Sequence, residues 1–316
     1  MSFSGHEEPW RQWHAAMSGA RMHHAWILSG RRGVGKAGFA LQAARETVGG
    51  PAMANHPDIL VLTHPPKDEA EAAKRAEGKP FETKRNIPID EVRAMQRRLN
   101  ARPTLGDRRV VIVDPADDLE ASASNALLKS LEEPPAGTFF LLVSHRIGRL
   151  LPTIRSRCRV LRFPAVSAEE IDAVLKREAP QADTATRVAA IAASAGSPGA
   201  ALEFVGLGLA KLHELMEQLV NRGDPDFALR GKLAEAIGAR PDRQRQMAVI
   251  ELARAVVADR MRSVELDAIP ALAEAHSQLS RLSAEFPTYN YDAGLLVMEI
   301  GSLLAALAAP REAAHG

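Results

Sequence analysis

The sequence predicts an α/β domain with a phosphate-binding loop and a parallel sheet between helices, followed by segments that are helical throughout. Three observations carry this expectation. The run Ser29-Gly30-Arg31-Arg32-Gly33-Val34-Gly35-Lys36-Ala37 follows a short apolar stretch, Ala25-Trp26-Ile27-Leu28, and precedes a helical pattern of Phe39, Leu41, Ala43 and Ala44. That is the strand–loop–helix context a phosphate-binding loop requires. Apolar strand-like runs then alternate with helical stretches over roughly 165 residues, the pattern of a parallel sheet covered on both faces. Beyond Pro164 the strand signal stops.

Taken in order, Pro9 to Ala20 reads as a short amphipathic helix with Trp10, Trp13 and Met17 packed on one face. His23-His24 offers no metal site, because adjacent residues of an extended chain point to opposite sides and no partner ligands stand at useful spacing. In the phosphate-binding loop, Gly30, Gly33 and Gly35 let backbone N–H groups turn inward as an anion nest at a helix N-terminus. Lys36 stands where a lysine reaches the outer phosphates. The next position normally carries Ser or Thr, whose hydroxyl holds magnesium. Here it is Ala37, with no oxygen to offer.

Asp58-Ile59-Leu60-Val61-Leu62 reads as a second buried strand, and His64 to Arg85 as a charged, solvent-exposed insertion, partly helical or disordered. After the extended Ile87-Pro88-Ile89, Asp90 can cap a helix running to about Asn100. That helix carries Arg93, Arg97 and Arg98 on one side, with Arg102 just beyond, as either a solvated charged face or a phosphate-tracking patch. Arg109-Val110-Val111-Ile112-Val113-Asp114 has the form of a strand whose terminal Asp supports magnesium. ATPases of this type follow that Asp with Glu, which activates water; here Pro115 follows. Thr138 to Ser144 and Val160 to Phe163 are further strands. Ser167 then opens a helix to about Arg177, a second runs from about Thr184 to Ser194, and Gly196-Ser197-Pro198-Gly199 precedes a third. From about residue 206 come about five long Ala- and Leu-rich helices, broken at Gly223-Asp224-Pro225, Arg240-Pro241 and Phe286-Pro287. The last starts after Asn290 and is apolar on more than one stripe, so it is centrally buried or lies at a subunit contact.

The totals narrow the class. A chain of 316 residues suggests two or three domains, and 46% hydrophobic with 25% charged residues is ordinary for a globular protein. A net charge of +1 gives no global pull toward nucleic acid, so such contact must come from a local patch. Cys158 is the only cysteine, which excludes internal disulfides and thiolate zinc clusters. The polar stretch Met1 to Pro9 holds no signal-peptide core, and no apolar run approaches the roughly 20 residues that span a bilayer. The expectation is a soluble cytoplasmic protein with no membrane partner.

Two further runs resemble a known family. Ser124-Asn125-Ala126-Leu127-Leu128-Lys129-Ser130-Leu131-Glu132-Glu133-Pro134-Pro135 is similar to a segment of clamp-loader AAA+ subunits. So is Leu150-Leu151-Pro152-Thr153-Ile154-Arg155-Ser156-Arg157-Cys158, which contains their Ser-Arg-Cys motif. With the phosphate-binding loop and the Asp114 strand, the resemblance covers most of the chain. It implies a degenerate AAA+ P-loop domain over 1–164, a helical lid domain over 165–205 and a helical collar domain over 206–316 that joins an oligomer.

The departures resemble the delta-prime branch of the bacterial DNA polymerase III clamp-loader family. Ala37 lacks the metal hydroxyl, and Pro115 replaces the catalytic Glu. Hydrolysing members carry an arginine after a Gly-Ser pair in the second domain, where this chain has Pro198. Motor members carry a cysteine zinc module where this chain has Gly49-Gly50-Pro51. The resemblance implies weak or no ATP binding, no required cofactor and no zinc. Implied partners are the motor (gamma/tau) and delta subunits, with the sliding clamp and primer-template DNA reached through the assembly. It further implies that Arg157, flanked by Ser156 and Cys158, is an arginine finger acting in trans, although a helix-terminal ion pair is the ordinary reading of such a residue. A finger is worth roughly 10³–10⁵ in rate and a positioned base about 10²–10⁴, so the group kept for a neighbour outweighs the base that is lost. The competing expectations are an ATP-hydrolysing motor subunit with compensating residues, and a helicase-type AAA+ motor, which would need a Glu after Asp114.

Overall fold

A computed structural model describes residues 6–19, 22–49, 55–286 and 291–308 of the chain. The chain divides into two compact units, with the boundary between Ala165 and Val166. Ala20, Gly50, Pro51, Pro287 and Asn290 lie outside the described residues.

The first unit contains five strands, β1 (Ala25–Ser29), β2 (Ile59–Leu62), β3 (Arg109–Val113), β4 (Thr138–Ser144) and β5 (Arg159–Arg162). They form one sheet in the order β2-β3-β4-β1-β5, and every pairing is parallel. Ile27 stands opposite Leu142 on one side and Val160 on the other, while Val111 stands between Leu60 and Phe140. β1, β3 and β4 are apolar along nearly their whole length because both faces are covered. The helices are α1 (Glu7–Ser18), α2 (Lys36–Val48), α3 (Glu69–Ala76), α4 (Ile89–Leu99), α5 (Ala121–Glu132) and α6 (Pro152–Arg155).

The period-two alternation of the strands sorts the core into two layers. Ile27, Leu60, Val111, Val113, Phe140 and Leu142 face Val92 and Met95 of α4 and Leu127 and Leu131 of α5. Trp26, Leu28, Val110, Ile112, Leu141 and Val143 face Trp13 of α1 and Phe39, Ala40, Ala43 and Ala44 of α2. Trp13 is fully buried, edge-on to Trp26 with ring centroids 5.6 Å apart. The expected helix of 9–20 is thus a packing element, and the sheet between helices is the one the sequence predicts.

Two local readings change, and a third narrows to one of its alternatives. His23 and His24 do not diverge: their rings stack with centroids 4.7 Å apart, because the chain bends at His24 before β1 begins. Their ring nitrogens reach the carbonyls of Ala25 and Leu131, each at 2.9 Å. Asp90 does not cap α4. Pro88 is the cap residue, held extended as Ile87 bridges to Leu119, so Asp90 falls in the first turn and pairs with Arg93 at 3.4 Å. The 64–85 insertion takes the partly helical, exposed form of its two expected ones: Pro66 bridges to Thr83, Asp68 caps α3, and the Glu71 carboxylate accepts from the Glu82 N–H and Lys74, both at 2.6 Å.

A buried ion pair fastens the lower edge of the sheet. Arg109, the first residue of β3, donates to the carbonyls of Arg98, Ala101 and Arg102 at 2.7, 3.0 and 2.9 Å, tying down the loop that leaves α4. Asp58, which precedes β2 rather than lying within it, stands 3.5 Å from Arg109 and accepts from the N–H groups of Thr104 and Leu105 at 2.7 and 2.9 Å. Burial alone would raise the Asp58 pKa, but those N–H groups and Arg109 hold it below the ordinary carboxylate value.

The second unit is helical, comprising α7 (Ala168–Glu178), α8 (Thr184–Ala193), α9 (Pro198–Gly206), α10 (Ala210–Arg222), α11 (Ala228–Ile237), α12 (Arg243–Arg260), α13 (Ile269–Glu285) and α14 (Ala293–Ala305). Ser167 opens α7 through a capping box with Glu170, and Ser197 caps α9. The boundary expected between residues 205 and 206 falls inside this unit. One buried cluster runs from Ile171 and Leu175 through Phe204 to Leu219, Val256 and Ile300, and α8 packs on both α10 and α12. The break at Gly223-Asp224-Pro225 hides an ion pair, with Asp224 2.9 Å from Arg230. On α14, Leu296, Val297, Ile300 and Leu304 are buried, while Leu295 and Met298 form an exposed second stripe. Among the described residues no helix is long and apolar enough to cross a membrane.

Arg109→Ala strands the Asp58 charge in the interior, which typically costs about 3–5 kcal/mol. Denaturant unfolding of the variant should show that loss at pH 7. Because the Asp58 pKa is depressed on folding, its contribution is present above the ordinary carboxylate pKa and fades as pH falls below it. The difference between variant and wild type should therefore narrow in acid.

Candidate functional site

Parallel strands gather their C-terminal ends at one edge of the sheet, and the phosphate-binding loop leaves β1 there. The Gly30 N–H donates to the Ser144 carbonyl at 3.2 Å as β1 and β4 end together. A Cβ at Gly30 would lie 2.5 Å from the Phe163 carbonyl oxygen, so only glycine lets the loop pass this close to the end of β5. Gly33 and Gly35 have φ of 79° and 106°, and Gly35 is the cap residue of α2. His6 reaches the Val34 carbonyl with Nε2 and sets its ring edge-on to Phe163. Nothing local in the sequence marks that contact, which joins residues 28 apart.

Lys36 opens α2 and is buried, and its Nζ donates to the carbonyls of Gly30 and Arg31 at 2.6 and 2.5 Å. Burial pulls its pKa down to about 8, against the opposing pull of Asp114 and Asp117. Ala37 is exposed on the first turn of α2, where it presents a methyl group. Asp114 follows β3, and its N–H donates to the Leu62 carbonyl at 2.9 Å. Burial raises its pKa, partly offset by Lys36, His64 and Arg32. Pro115 follows, with no proton-accepting side chain.

The next carboxylate along, Asp117, is engaged elsewhere. Its Oδ1 accepts from the Ser144 hydroxyl at 2.7 Å, and its Oδ2 accepts from the N–H groups of His145 and, at 3.2 Å, Arg146. It staples the loop after β3 to the end of β4. His145 beside it has a buried Nδ1 with no partner among the described residues, and burial followed by the Lys36 charge pushes its pKa down to about 4. Asp117 and His145 escaped the sequence reading because the contact spans 28 positions and belongs to no local motif. Among the described residues, no group of three or more His, Cys, Asp and Glu is placed to hold a metal ion.

The Ser156-Arg157-Cys158 run lies at the other edge. Arg159 pairs with Trp26 near the start of β1, so Arg157 stands beyond the N-terminal ends of the strands. From Ala25 to Ser29 the sheet alone separates the two edges by about 13 Å. The Arg157 Nη2 lies 2.6 Å from the Glu132 carboxylate at the end of α5, and its Nη1 donates to the Thr153 carbonyl at 3.0 Å. The helix-terminal ion pair is therefore present, and the side chain keeps 36% of its surface exposed. Burial pushes the Cys158 thiol up to about 12, leaving it protonated.

Arg93, Arg97 and Arg98 are all exposed on α4. Arg93 and Arg97 line a groove of about 440 Å³ between α4 and α5, with Lys129 and Glu133 opposite. Arg98 turns to another side, donating to the Pro57 carbonyl at 2.9 Å. The trio does not converge on one point. In the second unit, Ser197 is buried and spends its hydroxyl capping α9, and Pro198 occupies the position after it.

The sequence and fold were compared with known proteins. A family model described as DNA polymerase III, delta subunit, matches residues 5–167, which is 163 of the 316 positions. The delta′ subunit of DNA polymerase III from Pseudomonas aeruginosa is 33% identical over 219 residues, covering 64% of this chain and 62% of that protein. The delta′ subunit from Escherichia coli is 45% identical over 124 residues, covering 39% and 36%. The chain thus spans less than two thirds of the length of these relatives. Among solved structures, a DNA polymerase III gamma subunit-related protein from Thermotoga maritima aligns with a TM-score of 0.53 at 20% identity, over 95% of this chain and 99% of that one. That likeness shows the shared fold.

Two of the shifted groups at the upper edge can be read by NMR titration. The His145 ring should stay neutral through the mildly acidic range and titrate at about 4. Its pKa is depressed on folding, so its contribution to stability is present above the ordinary histidine value and is lost as pH falls toward about 4. The Lys36 ammonium should titrate at about 8, so any phosphate held by the loop should weaken as pH rises through that value.

Proposed function

The chain belongs to the DNA polymerase III delta-subunit family, and on that footing we propose that it is a non-hydrolysing stator of the clamp loader. It assembles with motor (gamma/tau) and delta subunits in the cytoplasm and helps load the sliding clamp on primed DNA. It contributes to the polymerase III holoenzyme and is no ATPase on its own. The observation that carries this reading is the separation of the two motifs. Lys36 sits at the upper edge of the sheet and Arg157 at the lower, too far apart to serve one nucleotide, so an arginine finger here acts on a neighbour's ATP.

The upper edge supports the same reading. Ala37 supplies no magnesium ligand, Pro115 no base, and Asp117 has both oxygens committed to residues 144–146. A resident motor would need one of these functions restored. Nucleotide binds the loop weakly or not at all, and the subunit requires neither zinc nor another cofactor. Arg93, Arg97 and Arg98 are proposed contacts to DNA phosphates, with Lys129 beside the first two.

The test is ATP turnover by the chain alone and by the assembly reconstituted with wild-type chain or Arg157→Ala. The isolated chain should be silent, and the neighbouring site should lose roughly 10³–10⁵ of its rate in the variant. Magnesium-dependent turnover by the isolated chain that falls on Lys36→Ala would restore the motor reading. An unimpaired Arg157→Ala assembly would leave a scaffold. For DNA, removing Arg93 and Arg97 together should weaken binding by the assembly on all sequences alike and lower its salt dependence by about one unit per arginine.

A further inference from the structure

Arg157 is held from one side only. Its Nη1 faces the Thr153 carbonyl at 3.0 Å and the Ser156 hydroxyl at 3.4 Å, and its Nη2 faces the Glu132 carboxylate at 2.6 Å. A guanidinium carries five N–H groups in a rigid plane. The Nε–H has no hydrogen bond among the described residues, and Nη2 meets Glu132 as an ion pair, with neither of its N–H groups in an aligned hydrogen bond. Those two lie along one edge of the fork, the edge that grips a phosphate in a bidentate manner. The side chain is also more than one third exposed along its length. The arrangement hydrogen-bonds Nη1, pairs Nη2 with a charge and leaves the Nε–H open.

Glu132 is well placed to fix it. It ends α5, whose Leu127 and Leu131 are fully buried against the sheet. The Leu131 carbonyl accepts from His24 at 2.9 Å, and Gln96 of α4 donates to the Ala126 carbonyl at 2.9 Å and reaches the Ser130 hydroxyl at 3.2 Å. A helix end so constrained limits where the Glu132 carboxylate can reach, which narrows the positions open to a flexible arginine. A guanidinium without it would sample several rotamers, and a misplacement of about 1 Å in a reacting group can cost 10²-fold.

Resting on the proposed trans role of Arg157, we infer that Glu132 is a positioning residue for that arginine. It holds the Nη2 side of the guanidinium so that the Nε edge is directed outward, toward a phosphoryl group on an adjoining subunit. The pair is formed within one chain, so the finger is set before a partner docks.

The experiment is steady-state ATP turnover by the reconstituted assembly carrying wild-type chain, Glu132→Gln, Glu132→Asp, Arg157→Ala, or Glu132→Gln with Arg157→Ala. Glu132→Gln should lower kcat about tenfold or more with KM for ATP unchanged, since the contact acts in the transition state. Glu132→Asp, which keeps the charge, should lose less. Melting temperature should stay at the wild-type value in both, because the pair lies at the surface. In the Arg157→Ala background, Glu132→Gln should cost nothing further. Wild-type turnover in Glu132→Gln beside an impaired Arg157→Ala would overturn the inference and leave the trans finger standing. The same holds for a gain in turnover, which would make Glu132 a competitor of the phosphate, and for an equal loss in both backgrounds, which would make its role structural. Full activity of Arg157→Ala would remove the trans reading itself, and this inference with it.

Discussion

The polarity of the parallel sheet governs everything else in the first unit. Five strands run the same way, so every segment that leaves a strand does so at one edge, and every segment that enters does so at the other. The phosphate-binding loop, Asp114 and the Ser144–His145 turn share the first edge. His24, Asp58, Arg109 and Arg157 share the second. No side-chain rearrangement brings an arginine across the length of a strand. With this topology the phosphate-binding loop and Arg157 lie at opposite edges of the sheet.

The chemistry at the upper edge follows from what the loop lacks. A lysine ammonium in a water-poor pocket needs acceptors, and Lys36 takes them from the Gly30 and Arg31 carbonyls of its own loop. Burial lowers its pKa to about 8, and the nearby imidazole of His145 is kept neutral by the same burial and by the Lys36 charge. Asp117 has become a structural staple. The loop has Gly33 and Gly35 in the left-handed region, and neither Ala37 nor Pro115 carries a side-chain oxygen. At the lower edge, by contrast, Arg157 is partly exposed and paired with a half-exposed carboxylate, a contact of small net worth to stability.

Much of this was legible in the sequence, for reasons that are local. The phosphate-binding loop, the apolar runs of β1, β3 and β4, the capping box at Ser167 and the Ser-Arg-Cys run are each written within a dozen residues. What was not legible depends on pairs far apart in the chain. The Asp58–Arg109 pair joins residues 51 apart, and the Asp117 staple residues 28 apart, and neither leaves a periodic trace. Asp90 had the right residue type for a cap, but Pro88, fixed in an extended conformation, took the position first. Composition left the insertion either partly helical or disordered; in the structure it carries α3, its charges pair, and Glu71 collects two donors. The Arg157–Glu132 contact sits between two motifs that were both read, yet only the fold brings their ends together.

The most direct measurement is chemical rescue. ATP turnover by the assembly carrying Arg157→Ala would be followed while guanidinium ion is added below its denaturing range, with sodium at equal ionic strength as the control. If Arg157 supplies a guanidinium to a neighbour's nucleotide, turnover should rise and saturate with guanidinium, stay flat with sodium, and not rise in the wild-type assembly. A variant that stays inactive at every guanidinium concentration, or that gains equally from sodium, would contradict a donated finger and leave Arg157 as a structural ion pair.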